Sequence, residues 1–244
     1  MFFTSFGKYL LLLKSVFKKP EKASIYWKEI MHEMNSIGVG SLGLIAIIST
    51  FIGAVMTMQI AFQLVSDLIP NSIIGQINRD SSILELSPTI SALVLAGKVG
   101  SSISSQIGSM RVTEQIDALE IMGINAPGYL ILPKILAGIT MVPMLVILSI
   151  FLALSGGLIG GALSGAVTPA DYIMGITGDF NGYTVTVALV KAFVFGFVIT
   201  SVAAYHGFYV KGGALEVGQA STKSVVVSCI MILVTDYVIT ALML

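Results

Sequence analysis

The sequence is poor in the groups that carry most protein chemistry. Its one cysteine, Cys229, has no partner for an internal disulfide and stands in an apolar run, where it reads as a small packing residue. The two histidines, His32 and His206, are far apart, and there is no Cys/His cluster, no H-E-x-x-H pair, no G-x-S-x-G turn and no G-x-x-x-x-G-K-[ST] phosphate loop. No catalytic residue, metal or cofactor is therefore expected in this chain. If ATP drives it, another subunit hydrolyses the ATP. Charge is sparse as well: 13 basic and 13 acidic residues give a net charge of zero, which offers nothing to nucleic acid. Instead, 55% of the 244 residues are hydrophobic. The mean hydropathy of +0.94 makes the bilayer the solvent and the chain an all-α integral membrane protein.

Spanning about 30 Å of hydrocarbon takes about 20 apolar residues. Residues 40–65, 129–162, 184–209 and 223–244 meet that length, and 86–108 joins them because its serines and glycines can be sheltered by close neighbours. Five spans thus fill residues 37–244. Pro133 and Pro143 predict a kink or tilt in the third. Residues 1–36 form an amphipathic basic segment, with Lys8, Lys14, Lys18, Lys19, Lys22 and Lys28 interleaved with Phe2, Phe3, Phe6, Leu10, Leu13 and Phe17. Helices of this kind lie in the head-group layer; here Pro20 separates two of them, and Tyr26 and Trp27 stand at interface depth. No cleavage pattern follows the first apolar stretch, so it reads as retained.

A cytoplasmic N-terminus and an outer, periplasmic C-terminus place on the inner side the six N-terminal lysines with Arg111, Lys134, Lys211 and Lys223, ten of the 13 basic residues. The outer loops, about 66–83 and 165–183, then carry Asp67, Arg79, Asp80, Asp171 and Asp179.

Within the spans, Ala96, Gly100, Ser104 and Gly108 repeat every four residues, and Gly156 and Gly160 do the same. Such stripes let helices pack closely, within one chain or between copies. Ionisable residues are rarer and more pointed. Glu85 opens span two, while Lys191 and Asp236 each lie roughly 12 Å below the outer surface by helical rise, at a depth where they could pair or line one cavity. Lys98 is near mid-span and either snorkels or contacts a neighbouring helix. Between spans two and three, RVTEQIDALEIMGINAP (111–127) is amphipathic. Val112, Ile116, Leu119 and Met122 fall on one arc and Glu114, Asp117 and Glu120 on another, with Ile121 among the acids. Gly123, Asn125 and Pro127 stop the helix.

The run LELSPTISALVLAGKVGSSISSQIGSMRVTEQIDALEIMGINAPGYLILPKILAG, residues 84–138, resembles the MlaE-type permeases of bacterial lipid-transporting ABC systems, which are related to a chloroplast lipid-importer permease. That family shows a Glu-Leu-Gly-Pro-like motif, then Ala-Gly-Arg-x-Gly, then Glu-Ile-Gly-x-Met-x-x-Thr-Glu-Gln. The likeness continues through Phe51-Ile52-Gly53, Lys191 and Asp236. It implies an inner-membrane homodimer paired with cytoplasmic ATP-binding subunits, which carry ATP and magnesium, and with an MCE-domain protein on the outer side. It implies phospholipid as substrate, a lipid cavity near Glu85, Lys191 and Asp236, and ATPase coupling through Glu114, Asp117, Glu120 and Ile121. Leu84, Ser87, Lys98 and Gln106 depart from the pattern. With leucine at 84, Lys191 is left as the basic group for a lipid phosphate. Two other readings stand beside this one: an ion- or proton-coupled secondary transporter using the same three charges, and a non-transporting scaffold.

Overall fold

The computed structural model describes residues 2–16, 18, 23–64 and 70–244. Phe17, Lys19, Pro20, Lys22 and Asp67 lie outside the described residues, as do the side chains of Phe2 and Phe3. The described residues form helices and connecting turns, with no strand among them. In order these are α1 (Phe2–Val16), α2 (Ala23–Met34), α3 (Gly40–Gln63), α4 (Ser72–Ser81), α5 (Ser91–Leu95), α6 (Ser101–Val112), α7 (Gln115–Ile121), α8 (Ala126–Ser164), α9 (Pro169–Thr177), α10 (Tyr183–Phe208) and α11 (Ala214–Met243). Among the described residues five helical stretches are long and apolar enough to cross a membrane: Tyr26–Gln63, Ser72–Val112, Ala126–Ser164, Tyr183–Phe208 and Ala214–Met243.

Several boundaries differ from expectation. The first span has no interfacial piece cut off at residue 36, because α2 runs into α3 through a π-helical turn, Asn35–Val39. No proline falls between Ala23 and Gln63 to break it. Trp27 is exposed, as an interface anchor would be, whereas Tyr26 is buried. Likewise α4, α5 and α6 are joined by π-helical segments Ser82–Ile90 and Ala96–Gly100. The first contains Pro88, whose missing N–H and bulky ring disfavour the regular α ladder, and a wider turn absorbs the defect. Pro133 and Pro143 do not interrupt α8. The two stretches expected as outer loops are not irregular, since they hold α4 and α9.

Packing falls into two units. The first comprises Met1–Gly40, Ala92–Val142 and Phe193–Thr235. Here the expected small-residue stripe of span two is used: Ala96 and Ser104 are fully buried. A Cβ on Gly207 of α10 would meet the Ser104 carbonyl at 2.7 Å, and one on Gly108 would lie 3.2 Å from Val217 of α11. α8 and α10 touch backbone to backbone, with a Cβ on Gly196 reaching the Gly138 carbonyl at 2.6 Å. α1 is docked: Leu12 and Val16 are buried, and Tyr9 shares a 2.8 Å hydrogen bond with Ser201.

The second unit comprises Ser41–Ser91, Pro143–Ala192 and Asp236–Leu244. The glycine face of α8 is spent on α3. A Cβ on Gly156 would collide with the Thr50 carbonyl, and one on Gly160 would come within 2.6 Å of the Ala54 Cβ. A polar knot sits beneath α4 and α9. Asn78 donates to Tyr172 at 2.7 Å and to Thr57 at 3.0 Å, and the Tyr172 hydroxyl donates to the Leu154 carbonyl at 3.1 Å. Burial pushes the Tyr172 phenol above its ordinary pKa, so it stays a donor. Gly157 makes room, for its Cβ would fall among these three side chains.

Candidate functional site

Three ionisable residues expected near one another do meet, in the second unit. The Lys191 side chain, on α10, is wholly enclosed. Its ammonium lies 2.7 Å from Glu85 Oε1, 2.8 Å from Asp236 Oδ1 and 2.9 Å from the Leu84 carbonyl. The lysine donates to Glu85 and to the Leu84 carbonyl, while Asp236 Oδ1 faces the ammonium as an ion pair without a hydrogen bond. Leu84 thus contributes through its backbone, a role no side-chain motif announces. Thr89 donates to Asp236 Oδ2 at 3.2 Å, and Thr240 to Glu85 Oε1 at 3.3 Å. Two carboxylates against one ammonium leave a formal excess of one negative charge. Asp236 is only 13% exposed on its side chain while Glu85 is 44% exposed, so the accessible member of the triad is Glu85. Lys191 was the expected contact for a lipid phosphate, but its own partners enclose it.

The predicted helix 111–123 is shorter than expected and begins with a corner. α6 ends at Val112, and Glu114 takes a left-handed backbone (φ 59°) before α7 starts at Gln115. Gly123 (φ 79°) ends it as expected, with the Ile124 N–H reaching the Leu119 carbonyl at 3.1 Å. Of the apolar arc, Ile116 is buried and Val112 and Leu119 are half-buried, but Met122 is 65% exposed. Of the acids, Asp117 is not free: Arg111 donates to it at 2.6 Å. The face presented outward is therefore Glu114 and Glu120 beside Ile121, which is 87% exposed, and Met122. Asn125 donates to the Ser15 carbonyl at 2.9 Å and to that of Lys18, tying the stop of α7 to the end of α1.

Two basic residues have roles that composition did not reveal. Lys134, counted only as an inner-side charge, is buried and donates to Glu33 at 2.5 Å and to Gln106 at 2.6 Å, joining α8 to α2 and α6. Arg79, a lone cation in an outer loop, is buried and donates to the carbonyls of Ile176 at 3.2 Å, Asp179 at 3.4 Å and Gly178, gathering the end of α9 onto α4. Its Nε pairs with Asp80 at 2.8 Å. Among the described residues no His/Cys/Asp/Glu group is arranged to hold a metal.

Comparison with known proteins agrees with this architecture. A family model described as permease MlaE matches residues 30–242. A probable ABC transporter permease protein of Rickettsia conorii is 35% identical over 99% of this chain and 93% of its own length. The intermembrane phospholipid transport system permease protein MlaE of Haemophilus influenzae is 28% identical over 99% of this chain and 93% of its own. The Arabidopsis thaliana chloroplastic protein trigalactosyldiacylglycerol 1 is 30% identical over 90% of this chain and 63% of its own length.

Proposed function

The chain belongs to the MlaE permease family, and on that premise we propose that it is the membrane subunit of an ABC transporter that moves phospholipid between the inner membrane and the cell envelope. The match over residues 30–242 and the likeness to the Haemophilus phospholipid transport permease support this over an ion-coupled carrier or a passive scaffold. In this reading ATP and magnesium bind a separate ATPase, and the chain works as a dimer, N-terminus cytoplasmic, with an MCE-domain protein on the outer side.

The observation that carries the proposal is the enclosed Lys191 with its two carboxylates. A fully buried ion group inside a membrane protein is costly and marks either an internal staple or a substrate station. Here one member, Glu85, remains accessible. Lys191 orients Glu85, and the Glu85 carboxylate meets the polar end of the lipid while apolar walls take the acyl chains. The outward pair Ile121 and Met122, flanked by Glu114 and Glu120, is the seat of the ATPase. ATP binding biases the bundle between two packings through that seat.

The test is ATP-dependent transfer of labelled phospholipid by the complex reconstituted between donor and acceptor vesicles. Glu85→Gln is expected to slow transfer while the complex assembles at normal yield. Transfer at the wild-type rate would remove Glu85 from the lipid path. Absence of any ATP-dependent transfer by the wild-type complex would overturn the function itself.

A further inference from the structure

Span two carries a polar face that is largely uncovered among the described residues. Lys98, Ser102, Gln106 and Ser109 are exposed, and Gly97, Ser101 and Ser105 beside them are half-exposed, while Val99, Ile103, Ser104 and Ile107 turn inward. By helical rise the face runs about 16 Å from Lys98 to Ser109, and Lys98 lies about 20 Å up the helix from Arg111, well inside the hydrocarbon thickness.

The lysine is the informative member. The other two lysines within spans two to four, Lys134 and Lys191, are buried against carboxylates. Lys98 is exposed, and among the described residues it contacts no carboxylate; its ammonium reaches only the Gly40 carbonyl. One N–H is used and two remain. Gln106 adds donors, since its carbonyl oxygen accepts from Lys134 and its NH2 end is left for another partner. From Leu86 to Thr113 the sequence contains no acid. The face therefore offers N–H and O–H donors and positive charge, with no negative charge of its own.

Acyl chains are a poor cover for such a surface, because a lysine held against hydrocarbon is among the costliest residues to insert. A second copy packed face to face would set Lys98 against Lys98 with no acid to separate them. The complementary occupant is an anion. Resting on the proposed phospholipid function, we infer that this face is a second polar station, a track that binds the phosphate of a phospholipid head group through Lys98, with the serines and Gln106 as neutral donors. It uses residues other than the triad and recognises the opposite charge: Glu85 presents a carboxylate and suits a cationic head-group amine, whereas Lys98 suits the phosphate.

The experiment places a photoreactive amino acid at Ser102, and separately at Ile230 of α11, which is exposed and apolar. The complex is irradiated in membranes containing radiolabelled phospholipid and then purified. Labelling at Ser102 is expected to fall about five-fold with Lys98→Gln, the loss of one charge-assisted hydrogen bond, and to survive in Lys98→Arg, while labelling at Ile230 responds to neither. Label at Ser102 that ignores Lys98 would mean ordinary acyl contact, and chain-to-chain adducts without lipid would mean a protein interface. Either result overturns the inference. ATP-driven transfer measured on the same preparations separates the two proposals: transfer without Lys98-dependent labelling removes only the track, and no transfer by the wild-type complex removes both.

Discussion

Lys191 and Asp236 stand 2.8 Å apart on α10 and α11, the lysine wholly enclosed and the aspartate nearly so. Removing the cation would leave two carboxylates facing each other in a membrane interior. Lys191→Met alone should therefore cost about 3–5 kcal/mol, the price of stranding a buried charge. Adding Glu85→Gln and Asp236→Asn to it removes the stranded charges and should restore most of the loss. Thermal unfolding of the purified complex checks both. An equal loss in single and triple variants would show that shape, and not charge, sets the cost.

That pair was legible in advance, because Lys191 and Asp236 each lie eight residues from one end of a predicted span, Tyr183 and Leu244, which the charge pattern puts on the same side. Glu85 was harder to place: the π-helical segment around Pro88 alters the register, so a regular α wheel misdirects every side chain before it. Helices α4 and α9 were missed because their contacts are long-range. Arg79 meets carbonyls about a hundred residues away, and Gly75 and Gly175 matter only where α4 and α9 touch. At the corner between α6 and α8, Gly123 announced the stop of α7. Its start was hidden, since a glutamate gives no sign of a left-handed backbone.

Glu114 gives a direct test of that corner. A non-glycine residue at φ 59° carries strain that glycine does not. Glu114→Gly should be neutral or stabilising by up to about 1 kcal/mol, whereas the β-branched Glu114→Val should lose about 1–3 kcal/mol. The unfolding temperature should therefore fall in Glu114→Val and hold or rise in Glu114→Gly. Movement together would mean that the side chain, not the turn, matters.

Lys134 makes a second buried junction, and its neutral partner is the more tolerant one. Glu33→Gln removes the carboxylate paired with Lys134 and should destabilise by about 3 kcal/mol or more. Gln106→Glu replaces a neutral acceptor, 2.6 Å from the ammonium, with a charged one and should be neutral or stabilising. Limited proteolysis in membranes, read against wild type, distinguishes the two.

Helix contacts through glycine separate in the same way. Gly156→Ala drives a methyl into the Thr50 backbone, which cannot yield without parting α3 from α8, and a loss of about 1–3 kcal/mol is expected. Gly97→Ala meets nothing within 4 Å and should gain up to about 1 kcal/mol from helix propensity alone. Thermal unfolding that ranked them the other way would contradict the α3–α8 packing.

The ATPase seat can be tested by weighing its charged against its apolar members. Asp117 and Arg111 form a pair with side chains 47% and 34% exposed, so Asp117→Asn should change stability by less than about 1 kcal/mol and leave assembly intact. Ile121 and Met122 are mostly exposed, and they are the large apolar groups presented outward at the end of α7. Centrally placed apolar anchors of this kind commonly account for most of an interface's energy, so Ile121→Ser with Met122→Ser should cut co-purification of the ATPase about ten-fold without lowering the unfolding temperature. Ile116→Ala should do the reverse first, costing about 2–5 kcal/mol of stability through a core cavity. If the double serine variant kept its ATPase while reversal of Glu114 and Glu120 released it, the contact would be electrostatic, and the apolar tip of α7 would have no part in coupling.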